Sequence, residues 1–272
     1  MTKNRIRIGA GSGFSDDRFE PALELARHGD IDYLVFECLA ERTIARETLS
    51  RLKNPLAGYT PYLVDRMRMV LPECMQRGIR IVTNMGAANP VQAARVVREE
   101  ALALGLKMPR VAAIVGDDVT EVIRANPQLP LLESGEPVES LLPRLAAANA
   151  YLGADIVSEA LKRDAQIVVT GRVADPSLFL ACMLHGLGWS YDDYARLASG
   201  TFTGHLLECA AQLTGGCFAD LPRKFVPGMA RIGFPFADVG VDGDVHFGKV
   251  DGSGGRLDVA TCTEQALYEM HD

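Results

Sequence analysis

Apolar residues arrive in short, nearly unbroken runs: Arg5 to Ala10, Tyr33 to Leu39, Ile79 to Thr83, Val111 to Val115 and Ile167 to Thr170. Runs of Ile, Val and Leu that do not alternate with polar residues fit strands covered on both faces, as in parallel sheets. Helical candidates lie between them. Asp17 to His28 has Asp16 or Asp17 as N-cap, Pro21 in its first turns and Gly29 as stop; Asn89 to Leu104 has Asn89 as cap, Pro90 at the first helical position and Gly105 as stop. Strand, helix and strand in repeated succession imply parallel pairing with right-handed crossovers. The expected fold is α/β, doubly wound or barrel-like, with a largely parallel sheet and helices on both faces.

Gln128 to Pro137, which carries Glu133 and Glu136 between prolines, reads as a surface excursion before a helix starting near Glu139. Beyond about Gly200 the character changes. Asp242-Gly243 and Asp251-Gly252 stand between short alternating runs, the signature of antiparallel hairpins. The chain is therefore expected to divide into an α/β core over residues 1–200 and a smaller β-rich C-terminal part over 201–272, closing on a helix or helix start from Thr263 to Asp272. Neither an internal repeat nor a low-complexity tract is evident.

With 48% apolar residues in 272, there is ample material for a core. No run approaches the roughly 18 apolar residues of a membrane helix, and Met1 to Arg7 is basic and polar with no apolar signal stretch behind it. A cytoplasmic protein is expected. The six cysteines show no two-residue spacing of zinc or redox type, so free, mostly buried thiols are expected. A net charge of −7 argues against nucleic acid and anionic membrane as partners. A small anionic substrate needs only one local arginine.

In parallel α/β sheets ligands bind beyond the carboxyl ends of the strands, which selects five loops. The first, Gly9 to Ser15, is a glycine turn in which Gly11, Ser12 and Gly13 offer N–H groups to an anion, or simply make a tight turn. It lacks a Walker lysine and the third Rossmann glycine. The second carries Glu37 behind four large apolar residues, where desolvation suits a general acid or base, or a metal ligand; the plainer reading pairs Glu37 or Glu41 with an arginine. The third holds Asn84, a donor and acceptor, and Gly86, which permits close approach; Asn89 is explained by capping. In the fourth, Asp117 and Asp118 read as the start of a helix from Val119 in preference to a metal site. The fifth sets Arg172 just past a buried strand, suited to a bidentate grip on a carboxylate or phosphate, with Asp175 as helix cap, Pro176 after it and Ser177 facing the same loop. An Arg172–Asp175 pair is the structural alternative. Further on, His205, Glu208 and Cys209 share a helix face; a lone His-x-x-Glu admits a divalent metal without arguing for one, so the cofactor stays open and no metal ligands are assigned. His205 is retained as a substrate-side candidate.

Five segments in order, Ile8 to Arg18, Asp32 to Thr43, Thr83 to Pro90, Val169 to Pro176 and Gly204 to Cys209, together resemble the N-terminal domain of the acyclic terpene utilisation (AtuA-like) family. The resemblance implies an enzyme or enzyme subunit of branched-chain acyl-CoA or carboxylic-acid catabolism, including breakdown of citronellol and geraniol. A carbon–carbon lyase acting on a 3-hydroxy-3-branched glutaryl-CoA is one reaction it implies. It also implies a small ferredoxin-like companion, fused or separate, and a chain continuing past His271-Asp272, so this sequence is expected to be short relative to the family.

The leading expectation is a lyase or hydro-lyase acting on an acyl-CoA or polycarboxylate through an enolate-like intermediate. Glu37 would move the proton, Arg172 anchor a carboxylate, and Asn84 stabilise the enolate oxygen. A cysteine-nucleophile hydrolase or transferase is weaker, because acids and no base adjoin Cys38 and Cys209. A non-catalytic ligand-binding or scaffolding subunit that needs a small partner is the alternative from another class. Homo-oligomerisation is expected on base rates alone.

Overall fold

A computed structural model describes residues 3–268 and residue 270. Its strands are β1 (Arg5–Ser12), β2 (Tyr33–Phe36), β3 (Arg80–Thr83), β4 (Val111–Ile114), β5 (Ile167–Thr170), β6 (Pro235–Gly240) and β7 (Val245–Lys249). Among the described residues these make one seven-stranded sheet in the order β4-β5-β3-β2-β1-β6-β7. The five strands from β4 to β1 run parallel, and β6 and β7 continue the sheet antiparallel to β1. The fold is thus the expected mixed α/β arrangement with β-strands in its C-terminal part.

The helices are α1 (Glu20–His28), α2 (Glu41–Lys53), α3 (Leu63–Arg77), α4 (Pro90–Ala103), α5 (Thr120–Ala125), α6 (Ala154–Lys162), α7 (Asp175–Gly186), α8 (Tyr194–Glu208) and α9 (Val259–Ala266). Helices α1, α3 and α4 pack side by side on one face of the sheet and α6, α7 and α8 on the other. Helix α7 is buried almost all round, from Ser177 to Leu184, because it lies between α6, α8 and the sheet; its uninterrupted Leu-Phe-Leu-Ala-Cys-Met-Leu has no polar stripe to expose. Every residue of β2 and β5 is buried, as their unbroken apolar runs require. Among the described residues no helix is long and apolar enough to cross a membrane.

Several boundaries move, each for a local reason. Helix α1 starts at Glu20, behind Phe19, because the Asp17 carboxylate accepts from Gly13 N and Arg18 N and so serves the preceding loop, not the helix. Asn89 does cap α4, accepting from Gln92 N. Asp175 is not the cap but the first residue of α7, whose N-cap is Ala174. The helix expected near Glu139 is a 3-10 turn, Val138–Arg144. Asp242-Gly243 does turn β6 into β7, with Gly243 at φ 92°. Asp251-Gly252 also turns, but an isolated parallel bridge between Ile232 and Gly254 follows instead of a second hairpin. The terminal helix is already under way at Val259 and stops at Ala266, with Leu267 as its C-cap, short of the expected run to Asp272; His271-Asp272 lies outside the described residues.

Candidate functional site

Strands β3 and β5 are neighbours, yet β3 leads into α4 on one face and β5 into α7 on the other. Such a reversal opens a crevice beyond the carboxyl ends of the two strands. Around it the parallel register gathers the loops that carry Glu37, Asn84 and Arg172.

Glu37 leaves the ladder immediately after β2, in a loop held by Asn84. The Asn84 Oδ1 accepts from Cys38 N at 2.7 Å, and its Nδ2 donates to Glu37 Oε1 at 2.8 Å. Leu39 N donates to the same oxygen at 2.7 Å. Oε2 accepts no hydrogen bond among the described residues. Burial pushes the Glu37 carboxyl up to about 7, helped by the negative charge of Asp175 and opposed by its two hydrogen bonds and by Arg172. A carboxyl near 7 can both take and give a proton at neutral pH. Asn84 spends both ends of its amide on this loop, so it positions Glu37.

The Arg172 side chain lies buried beneath Tyr151, its guanidinium 4.2 Å from the ring centre. It forms ion pairs with Glu41 at 3.1 Å and Asp175 at 3.3 Å, so the structural pair considered from sequence is present. Its backbone N donates to Asp117 Oδ2 at 2.8 Å, and Asn149 donates to the same oxygen at 3.1 Å. Neither aspartate is the N-cap of α5, which is Val119: Asp118, one residue earlier, accepts from Thr120 N, while Asp117, whose carboxyl is raised by burial, braces the Arg172 loop. A Cβ at Gly171 would stand 2.4 Å from that carboxylate, so glycine is needed for Asp117 to come so close. Neither this role of Asp117 nor that of Tyr151 was visible in the sequence; an aromatic two residues after Asn149 was the only signal.

The remaining candidates serve packing or lie elsewhere. Gly11 faces the Phe36 ring. Ser12 Oγ donates to the Glu37 carbonyl at 2.7 Å, which ties this turn to the acid. Gly13 N–H is answered by Asp17, and its Cα lies so close to Cys209 that an added Cβ would stand 2.4 Å from that residue's carbonyl carbon. Gly13→Ala is expected to cost about 1–3 kcal/mol, read as a lower urea midpoint with unchanged slope. Gly86 brings its loop against the Thr170 carbonyl. Ser177 is buried in the first turn of α7. His205 turns toward α9, with Nδ1 3.4 Å from Glu208 and Nε2 3.4 Å from the Ala266 carbonyl. Among the described residues no group of three or more His, Cys, Asp and Glu side chains is placed to hold a metal ion.

Cys38 is not surrounded by acids alone: Arg66 Nη1 lies 3.2 Å from its sulfur and Ser12 Oγ 3.0 Å. Burial outweighs that cation and pushes the thiol up to about 12. Iodoacetamide at pH 8 is expected to label the exposed Cys217 and spare Cys38 in the folded protein, as peptide mass spectrometry would record. Rapid labelling of Cys38 would restore the nucleophile reading.

Beside the crevice lies a cleft of about 610 Å³ whose lining includes Asp117, Asn149, Asn89 and the apolar Leu52, Val91 and Val115. Another groove, of about 590 Å³, follows the unpaired edge of β4 along Val111, Ala112 and Ala113 and contains none of the crevice residues. Fold and crevice together define a doubly wound α/β protein with a buried carboxyl, poised near neutrality, at the switch point of its sheet. The sequence profile of the acyclic terpene utilisation family protein AtuA matches residues 6–272, and the chain belongs to that family. No curated protein and no solved structure matches it.

Proposed function

We propose that this chain is an enzyme, or an enzyme subunit, of branched-chain acyl-CoA or carboxylic-acid catabolism, acting as a lyase or hydro-lyase through an enolate-like intermediate. The observation that carries this reading is Glu37: a buried carboxyl raised to about 7, held through one oxygen, in the same crevice as a buried arginine. A hydro-lyase removes a proton next to a carbonyl and expels a β-hydroxyl as water. A carbon–carbon lyase removes the proton of a β-hydroxyl and releases the enolate as the bond breaks. One base serves either reaction. In this reading Arg172 holds the substrate's carboxylate, and Leu52, Val91 and Val115 in the adjoining cleft offer apolar contact to a branched chain.

Thermal unfolding against free CoA, branched acyl-CoA esters and free di- and tricarboxylates, with and without Mg²⁺, tests the substrate class. A ligand at a hundred times its dissociation constant adds about 2.7 kcal/mol, a shift of a few degrees. Acyl-CoA esters are expected to give the largest shift. Stabilisation by free acids alone would move the reading to hydroxy-acid dehydration, and no shift with any compound would count against both.

A further inference from the structure

Arg172 is only 3% exposed, yet the chain leaves part of its guanidinium unused. Nη2 donates to Glu41, while Nε and Nη1 make no hydrogen bond among the described residues; Nη1 has Asp175 as an ionic neighbour at 3.3 Å. Buried N–H groups of a cation are normally satisfied, and a planar fork is best satisfied by two oxygens of one group. The cover over this fork is loose. Glu41, at the first position of α2, has a side chain 77% exposed, and Tyr151, whose hydroxyl donates to Glu41, is 54% exposed. Asp117 and Asn149 brace the Arg172 backbone, so the arginine stays in place if its cover swings away.

We propose that Glu41 is an internal stand-in for a ligand carboxylate: a carboxylate-bearing ligand displaces Glu41, Tyr151 moves with it, and the ligand takes the Arg172 fork. This rests on the anchoring role given to Arg172 above and adds that the resting site is closed by the chain's own carboxylate. Glu41 then competes with ligand, and the unpaired donors are the ligand's second contact.

Two measurements test it. Phenylglyoxal modifies accessible guanidinium groups. Peptide mass spectrometry is expected to show Arg172 modified several-fold faster in Glu41→Gln and Tyr151→Ala than in the unaltered protein, with glutarate protecting it. An unchanged rate in both variants would overturn the cover. Calorimetric titration with glutarate, and separately with inorganic phosphate, is then made on the unaltered protein, Glu41→Gln and Arg172→Met. Removing the competing charge is expected to tighten glutarate binding about tenfold, and Arg172→Met to abolish it. Glutarate binding Glu41→Gln no more tightly than the unaltered protein, or binding neither, sinks the stand-in. Glutarate binding Arg172→Met undiminished sinks the anchor beneath it. Phosphate binding in place of glutarate overturns the carboxylate assignment.

Discussion

Glu37→Gln is expected to abolish turnover and at the same time to stabilise the protein at pH 8. The amide oxygen of glutamine can accept from Leu39 N and Asn84 Nδ2 as Oε1 does now, so the loop keeps both bonds. What disappears is ionisation. The Glu37 carboxyl stands at about 7 in the folded chain against an ordinary 4.5, because burial disfavours its charged form. The folded state therefore holds this proton more tightly than the unfolded one. The stability so conferred is complete below about pH 4.5 and is lost as pH rises through about 7, a change of about 3 kcal/mol across the window. Urea midpoints of the two proteins should nearly coincide at pH 4.5 and diverge by pH 8, with the glutamine variant the more stable by up to about 3 kcal/mol. In the same variant kcat should fall by about 10²–10⁴ while ligand affinity stays within a few-fold. A stability difference independent of pH would mean that Glu37 ionises as freely as an exposed acid. Equal losses of affinity and turnover would make its role structural.

How far the crevice could be read in advance depended on whether the information was local. β5 begins and ends where its unbroken Ile-Val-Val-Thr run does, since a central strand is buried on both faces and its composition says so. β4 has a similar run, yet Val111, Ala112 and Ala113 are only half buried, because an edge position is a property of the whole sheet. Glu37, Asn84 and Arg172 were each found as the first polar residues past a strand, and parallel pairing of β2, β3 and β5 puts those three ends side by side. The part played by Asp117 depends on β4 lying next to β5, and no periodicity encodes a pairing between strands. Asp17 was ambiguous for a different reason. A short carboxylate before a helix can satisfy helix N–H groups or loop N–H groups with equal chemistry, and here the loop donors Gly13 N and Arg18 N take it. Tyr151 comes from a loop with no regular pattern, so its stacking on Arg172 had no signature.

Arg66→Met is expected to be the most damaging single change outside the crevice, at about 3–5 kcal/mol, read by urea unfolding. An arginine in an amphipathic helix ordinarily faces water, but Arg66 in α3 is almost fully buried. The β1–α1 loop explains this, because it turns two carbonyls inward: Nη1 donates to Ser15 O at 2.9 Å and Nη2 to Asp17 O at 2.8 Å, while the guanidinium lies 4.9 Å from the centre of the Phe19 ring. Methionine fills much of the same volume without donors, so the loss comes mainly from two buried carbonyls left unanswered, at about 1–3 kcal/mol each. The damage should also reach Glu37. Arg66 and Ser12 both contact Cys38, and Ser12 holds the Glu37 carbonyl, so a loosened β1–α1 loop frees the backbone on which the acid is mounted. Arg66→Met is therefore expected to lose turnover and stability together, whereas Glu37→Gln loses turnover while gaining stability. Arg66→Lys, which keeps a cation but reaches only one carbonyl at a time, should fall between the parent and Arg66→Met in stability. An Arg66→Met protein as stable as the parent would show that the loop is held by its own turns and by Asp17 alone.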